Sequence, residues 1–286
     1  PGTGKTNTII ETIVTAFFNE RTVLFTSYNN HPINGVYEKL SGITYGGHVI
    51  PFPVLRLGNN EKMREALRTM KRLYESVQGI NVYESTLDRN KDNRKNRAKR
   101  LSELLRRYEE LLDLRERDET IERLLEYERD KGASLQMLSF EEDLRTRQRG
   151  WIRKRIASLG EVSEAEALLL LDDDTEELKK YLYYVSAGFI KRLGNPRNED
   201  LLDIVMMEDK KKQLEAFAKY LGKKENILKL QKIFPVIVTT CISAHRLGKP
   251  EPMFDMTVID EASQCNTAVS LVPIVRGENL MLVGDP

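Results

Sequence analysis

Residues Pro1-Gly2-Thr3-Gly4-Lys5-Thr6 have the types and spacing of a phosphate-binding loop. The full pattern is a Gly, four residues, then Gly-Lys-Ser/Thr. Gly4-Lys5-Thr6 supplies its end, and the first Gly falls two positions before Pro1. The chain therefore opens inside the pattern and reads as a fragment. Gly2 and Gly4 let the backbone curl until successive N–H groups, that of Thr3 among them, converge on phosphate oxygens. Lys5 is a point charge for the β- and γ-phosphates, and Thr6 offers a hydroxyl to Mg²⁺. Over this stretch alone, a Gly-rich turn with a chance lysine would look the same.

A second cluster lies near the other end of the chain. Val258-Ile259-Asp260-Glu261-Ala262-Ser263-Gln264 is an apolar run that closes on two carboxylates. Mg²⁺ keeps several waters and takes few carboxylates, so Asp260 is suited to hold it through water. Glu261 is suited to orient and deprotonate an attacking water. An Asp-Glu pair is common at surface turns. After a strand, in a chain with Gly-Lys-Thr upstream, the pair reads as the second half of an ATP site, and both halves are expected to meet at one sheet edge.

The elements that must position these groups follow from periodicity. Ile9 to Phe18 reads as a helix whose N-terminus faces the phosphate. Thr22–Ser27 is a short β-rich run of the kind buried in a parallel sheet. A helix follows around Val36–Leu40, and then an extended stretch from Val49 to Leu57. From 59 to about 233 prolines nearly vanish, leaving only Pro196. Leu101, Leu104, Tyr108 and Leu111 stand three and four apart as in a coiled-coil seam, with Trp151-Ile152, Ile156 and Leu159 as a returning partner. Further helices are expected around 168–185 and 201–221. Short apolar strands resume at Val236–Thr240, Met256–Ile259 and Leu280–Val283. The fold class expected is α/β: a doubly wound parallel sheet formed by residues 1–58 and 234–286, interrupted by a mostly helical insertion over 59–233. Ligands of such sheets sit at the strand C-termini.

The composition sets limits. The chain has 286 residues, 40% of them hydrophobic and 31% charged, with a net charge of +1. That is enough apolar material for a real core, with a surplus of charge that implies solvated helices. Cys241 and Cys265 lack metal-ligand spacing and suggest a reducing, intracellular compartment, cytoplasmic or nuclear. No apolar run is long enough to span a membrane.

Taken together, Pro1-Gly2-Thr3-Gly4-Lys5-Thr6, Asp260-Glu261-Ala262-Ser263-Gln264 and Gly284-Asp285-Pro286 resemble motifs I, II and III of superfamily 1 helicases. The branch they resemble most is the up-frameshift-like one. Thr26-Ser27-Tyr28-Asn29-Asn30 with Pro32-Ile33-Asn34 is similar to motif Ia, departing from it at Pro32 and Asn34. Arg56-Leu57-Gly58 is similar to the Arg-x-Gly that follows, and Val238–Cys241 to the strand before motif II. The resemblance covers roughly 1–58 and 234–286.

It implies the first of two RecA-like domains of a motor using ATP and Mg²⁺ and moving on single-stranded DNA or RNA. On that resemblance, Gln264, Gly284 and Asp285 join the phosphate side of the nucleotide site, and Gln264 and Asp285 relay its state. Thr26, Asn30 and Thr240 touch the nucleic-acid backbone, since hydroxyls and amides bond phosphates without reading sequence. The same three side chains would also serve as strand-end caps. Tyr28 and His31 are suited to stack a base or to pack. An arginine finger is expected from across the cleft.

The insertion carries charge in blocks. Arg145, Arg147, Arg149, Arg153, Lys154 and Arg155 include no acid, while 161–177 hold eight acids and no base. These are hairpin faces paired with each other, a basic arm on nucleic acid, or a stalk that docks a protein. The functional expectation is a superfamily 1 helicase motor domain. The alternatives are a remodelling ATPase that does not unwind, or a P-loop interaction module acting through the insertion.

Overall fold

The computed structural model describes residues 4–130, 137–162, 164–170 and 175–284. Gly2, Thr3 and Asp285 lie outside the described residues. The chain divides into two compact units, one of Pro1–Leu87 with Thr175–Pro286 and the other of Asp88–Asp174.

The first unit begins with α1 (Lys5–Phe18), β1 (Val23–Ser27) and α2 (Asn30–Ser41). A two-stranded hairpin, β2 (Thr44–Tyr45) and β3 (His48–Val49), leads to β4 (Val54–Arg56) and α3 (Asn60–Ser76). The long helix α4 (Glu84–Asp130) runs into the second unit, which also holds α5 (Met137–Leu159) and α6 (Glu164–Leu170). The chain re-enters the first unit at α7 (Thr175–Lys191) and continues through α8 (Glu199–Met206), α9 (Lys210–Leu221) and α10 (Lys224–Gln231). It closes with β5 (Val236–Thr240), β6 (Phe254–Asp260), α11 (Thr267–Ile274) and β7 (Gly277–Leu282).

The five longer-range strands form one sheet in the order β4-β5-β1-β6-β7, and every neighbouring pair is parallel. Together with the long helical excursion of α4 and α5, this is the α/β architecture of a RecA-like P-loop fold. The order jumps along the chain because each parallel neighbour needs a crossover. Central strands covered on both faces read as unbroken apolar runs, and every residue of β1 is buried. Alternate side chains go to opposite faces. Val23 and Phe25 of β1, with Val236 and Val238 of β5, pack with Ile9, Ile13 and Phe17 of α1 and Ile33, Val36 and Leu40 of α2. Leu24 and Ile237 point the other way, into a cluster with Met63, Leu67 and Met70 of α3, Ile190 of α7, Leu201 of α8, Phe217 of α9 and Leu230 of α10. The stretch read from sequence as one insertion thus contains both the excursion and the helices that cover the sheet's second face. Helix α3 shows why they form. The Asn59 side chain accepts from Lys62 N at 2.9 Å, a helix N-cap, and Met63, Ala66, Leu67 and Met70 present one apolar stripe to the core.

Within the second unit, α4 and α5 run antiparallel. Arg149 Nε donates to Asp118 Oδ1 at 2.9 Å and Arg155 Nε to Glu110 Oε1 at 2.8 Å. Leu104, Leu111, Leu114 and Leu125 of α4 are buried, as is Ile152 of α5. Tyr108 and Trp151, expected in that seam, are instead exposed at 45% and 64%. Adjacent residues of a helix point about 100° apart, so a seam that takes Ile152 turns its neighbour Trp151 outward.

Candidate functional site

Parallel pairing brings three strand ends into one row. Ser27 of β1 stands beside Thr240 of β5 on one side and Asp260 of β6 on the other. Asp260 therefore ends a buried strand at the carboxyl edge of the sheet, where the apolar run Val258-Ile259 stops.

Gly4 caps α1 in the left-handed conformation at φ 73°, with nothing within 4 Å of the position a Cβ would take. Glycine is needed here for the backbone angle and not for space. Lys5 and Thr6 occupy the first turn of α1, whose leading N–H groups have no intrahelical partner. The Asp260 carboxyl is only 8% exposed. Burial raises its pKa above the ordinary aspartate value, and the neighbouring Glu261 charge adds to the rise. A bond from Glu261 N at 2.9 Å and the Lys5 ammonium act in the opposite direction. Lys5 and Asp260 are thus electrostatic neighbours. A buried carboxylate whose charge is only partly compensated suits a divalent cation. The protein oxygens suited to hold it are the Asp260 carboxylate and the Thr6 hydroxyl, the sparse protein set that Mg²⁺ takes. Among the described residues no cluster of three or more His, Cys, Asp or Glu offers a denser cage.

Glu261 adopts φ 53° and ψ 41°. It is one of two non-glycine residues with positive φ among the described residues, the other being Glu20. Such a conformation costs on the order of 1–3 kcal/mol and persists only where surrounding structure imposes it. The imposing contacts are visible. The chain turns directly after β6 into a short 3₁₀ segment, Ala262–Gln264, in which Gln264 N donates to Glu261 O at 3.0 Å. The end of β7 clamps the same turn, through Val283 N to Ile259 O at 2.8 Å and Ala262 N to Val283 O at 2.9 Å. Gly284 lies so close that a Cβ there would sit 3.3 Å from Ser263 Oγ. Gly4, Lys5, Thr6, Asp260, Glu261, Gln264 and Gly284 thus belong to one end of the sheet.

On the β5 side of β1 the same edge is polar. Asn30, exposed at the start of α2, accepts from Arg56 Nη2 at 2.7 Å. Thr240 donates through Oγ1 to Ser243 Oγ at 2.8 Å and is half-buried. Tyr28 is 47% exposed, and His31 is exposed as well. Thr26 stands apart: it is fully buried, with Oγ1 donating to Val258 O at 3.4 Å.

Two features escaped the sequence reading. Arg56 is 4% exposed, and its Nε and Nη1 groups find no partner among the described residues; burial lowers its pKa. Its presence in an Arg-x-Gly string gave no sign that it would hold Asn30. Burial pushes the Cys241 thiol up to about 12, and Cys265, far apart in sequence, lies near enough to add to the rise. Cys241 N also donates to Ser27 O at 3.0 Å. That bond ties the residue after β5 to the end of β1, and the nearness of Cys265 brings in the turn after β6; only the sheet order could have revealed this. No described helix is long and apolar enough to cross a membrane.

The model of the AAA_11 family, described as an AAA domain, matches the chain over residues 1–286. Among curated proteins, none matches.

Proposed function

The chain belongs to the AAA_11 family of AAA domains, helicase-like P-loop ATPase domains, and from that premise we propose that it is the ATP-hydrolysing motor domain of a superfamily 1 helicase acting on single-stranded nucleic acid. The observation that carries the reading is that the Lys5 ammonium at the start of α1 lies near enough to Asp260 at the end of β6 to hold its pKa down, although the chain sets the two at its opposite ends.

In this reading the N–H groups from Gly2 to Thr6 cradle the ATP phosphates at the start of α1, and Lys5 neutralises the β- and γ-phosphates. Thr6 and Asp260 would hold Mg²⁺, which would supply charge neutralisation to the phosphates. Glu261, locked by its left-handed backbone beside Asp260, aligns the attacking water and takes its proton. Gln264 and Gly284, with Asp285 by the resemblance alone, would sense the γ-phosphate and pass its loss to the turn after β6. Asn30 and Thr240, one strand over, bond the nucleic-acid backbone. Because β1 lies between β5 and β6, a shift at Asp260 reaches Thr240 through Ser27. Thr26 contributes inside the sheet, through its bond to β6.

The test is ATP turnover by the intact motor, which supplies the arginine finger, with and without an oligonucleotide; the isolated chain is expected to hydrolyse ATP poorly. Lys5→Ala and Glu261→Gln are expected to abolish stimulated turnover, and strand displacement by the intact motor should fall with it. Turnover that survives both substitutions would remove the proposal.

A further inference from the structure

The basic run of α5 splits when the helix is seen in place. Arg149 and Arg153 turn toward α4 and bond Asp118 at 2.9 and 3.2 Å, and Arg155 pairs with Glu110 at 2.7 Å. Arg147 and Lys154 do neither. Both are exposed, and neither has an ion-pair partner among the described residues. They stand four residues before and three residues after Trp151, so the three side chains share one helix face. Trp151 is the chain's single tryptophan, 64% exposed. Beside it a cleft of about 630 Å³ opens between α4 and α5, with Gln148 and Trp151 on one wall and Glu116, Thr120 and Ile121 on the other. Asp113, also in the lining, is already held by Arg117 at 3.0 Å.

An outward indole flanked by two unpaired cations matches a particular chemistry. The ring offers a flat face for a base, the cations take the phosphates on either side, and Gln148, Thr120 and Glu116 offer hydrogen-bonding groups to base edges. A docked protein would need an apolar or acidic complement. Glu116 on the facing wall is an exposed carboxylate, but the two charges on the ring's own helix face, Arg147 and Lys154, are positive, and that excess favours a polyanion. We propose that this cleft is a second nucleic-acid site, in which one unpaired base of a single strand stacks on Trp151 and its phosphates lie on Arg147 and Lys154. The site is built wholly from residues of the second compact unit and rests on the motor reading only for the class of ligand.

The single tryptophan makes a direct test possible with the whole chain. Oligouridylate and oligothymidylate are titrated at low salt while tryptophan emission is followed, and a fluorescein-labelled oligonucleotide reports total binding by anisotropy. Saturable quenching is expected, and it should persist in Lys5→Ala. Trp151→Ala should weaken binding by about 5- to 150-fold, the worth of one stacked base. Arg147→Glu with Lys154→Glu should abolish the quenching, and losing two phosphate contacts should flatten the slope of log affinity against log salt by about 1.4. All three positions are exposed, and circular dichroism verifies that the variants fold. Oligonucleotide binding with unchanged tryptophan emission would overturn the cleft site and leave the motor reading standing. Absence of binding by either readout would overturn both. An emission change with polylysine and none with oligonucleotide would make the cleft a protein-docking surface and overturn the proposal.

Discussion

Replacing Asp260 by Asn should stabilise the nucleotide-free protein while destroying its use of Mg²⁺. The carboxyl is buried at the end of β6, next to the like charge of Glu261, and burial is the main reason its pKa rises. Folding therefore carries a penalty whenever Asp260 is ionised. Asparagine has the same shape, and its Oδ1 can keep the bond from Glu261 N. Relieving a functional charge of this kind is worth about 0.5–2 kcal/mol, which for a unit of about 150–250 residues corresponds to a rise of about 1–8 °C in Tm. The pH dependence has a definite sign. The folded state binds the Asp260 proton more tightly than the unfolded chain does. The wild type therefore loses stability as pH rises from the ordinary aspartate range, about 3.9, through the raised folded value. The gap between variant and wild type should be full at neutral pH and close as pH falls to about 4. Saturation with Mg²⁺ and a non-hydrolysable ATP analogue, at about 100 times Kd, should stabilise the wild type by about 2.7 kcal/mol, or about 5–11 °C. The variant should gain much less. Scanning calorimetry at several pH values, with and without Mg²⁺-nucleotide, measures both effects. A lower Tm for the unliganded variant, or an equal nucleotide shift in both proteins, would refute the reasoning.

Three further outcomes follow from the geometry. Glu261→Gln should retain nucleotide affinity in equilibrium binding while steady-state turnover drops by about 10²–10⁴-fold, the contribution of a general base. Gly277→Ala would place a Cβ 2.4 Å from Thr257 Oγ1 and 2.9 Å from Thr257 N; since that hydroxyl donates to Pro273 O at 3.2 Å inside the fold, overpacking should cost about 1–3 kcal/mol, read as a lower urea midpoint with an unchanged slope. Arg56→Met removes a buried cation that makes one bond, so stability should stay within about 1 kcal/mol, while losing the bond that orients Asn30 should lower single-strand affinity about fivefold in filter binding.

Much of the sheet was legible because burial on both faces leaves no alternation to misread. β1, β5 and β6 each sit in a continuous apolar run, and each lies where that run predicts. β7 was harder. It starts at Gly277, three residues before its apolar part, because Glu278 and Asn279 occupy an exposed edge where polar residues cost nothing. Helix α2 starts at Asn30 and not at Val36, because Pro32 falls in the first turn, where a missing N–H breaks no helical bond. The apolar stripe of α4 marked a helix pair without giving its rotation. Whether Trp151 or Ile152 enters the seam depends on the register that Asp118, Glu122 and Glu110 set with Arg149, Arg153 and Arg155. Those ion pairs become visible only once the two helices are laid antiparallel.

The site divides along the same line between local and long-range information. Gly4-Lys5-Thr6 and Asp260-Glu261 stand out by local spacing alone, and the structure places the glycine bend at a helix start and the carboxylates at a strand end; the roles proposed for them rest on those positions. What sets Asp260 in a row with Ser27 and Thr240 is the parallel register, with Thr240 on one flank of β1 and Asp260 on the other. No local pattern encodes that register, since any buried apolar strand could pair with any other. The register also explains why Arg56 and the two cysteines carried no signal. Arg56 reaches Asn30 because β4 lies beside β5 at the sheet edge, and Cys265 comes near Cys241 because β1 alone separates β5 from β6. The Arg56–Asn30 bond joins β4 to the start of α2, and the two cysteines bring the end of β5 near the turn after β6. If the motor reading holds, the coupling of hydrolysis to strand movement runs through these two contacts. Substitutions at Cys241 or Cys265 should then change nucleic-acid stimulation of turnover more than basal turnover, a ratio measurable in a single ATPase titration.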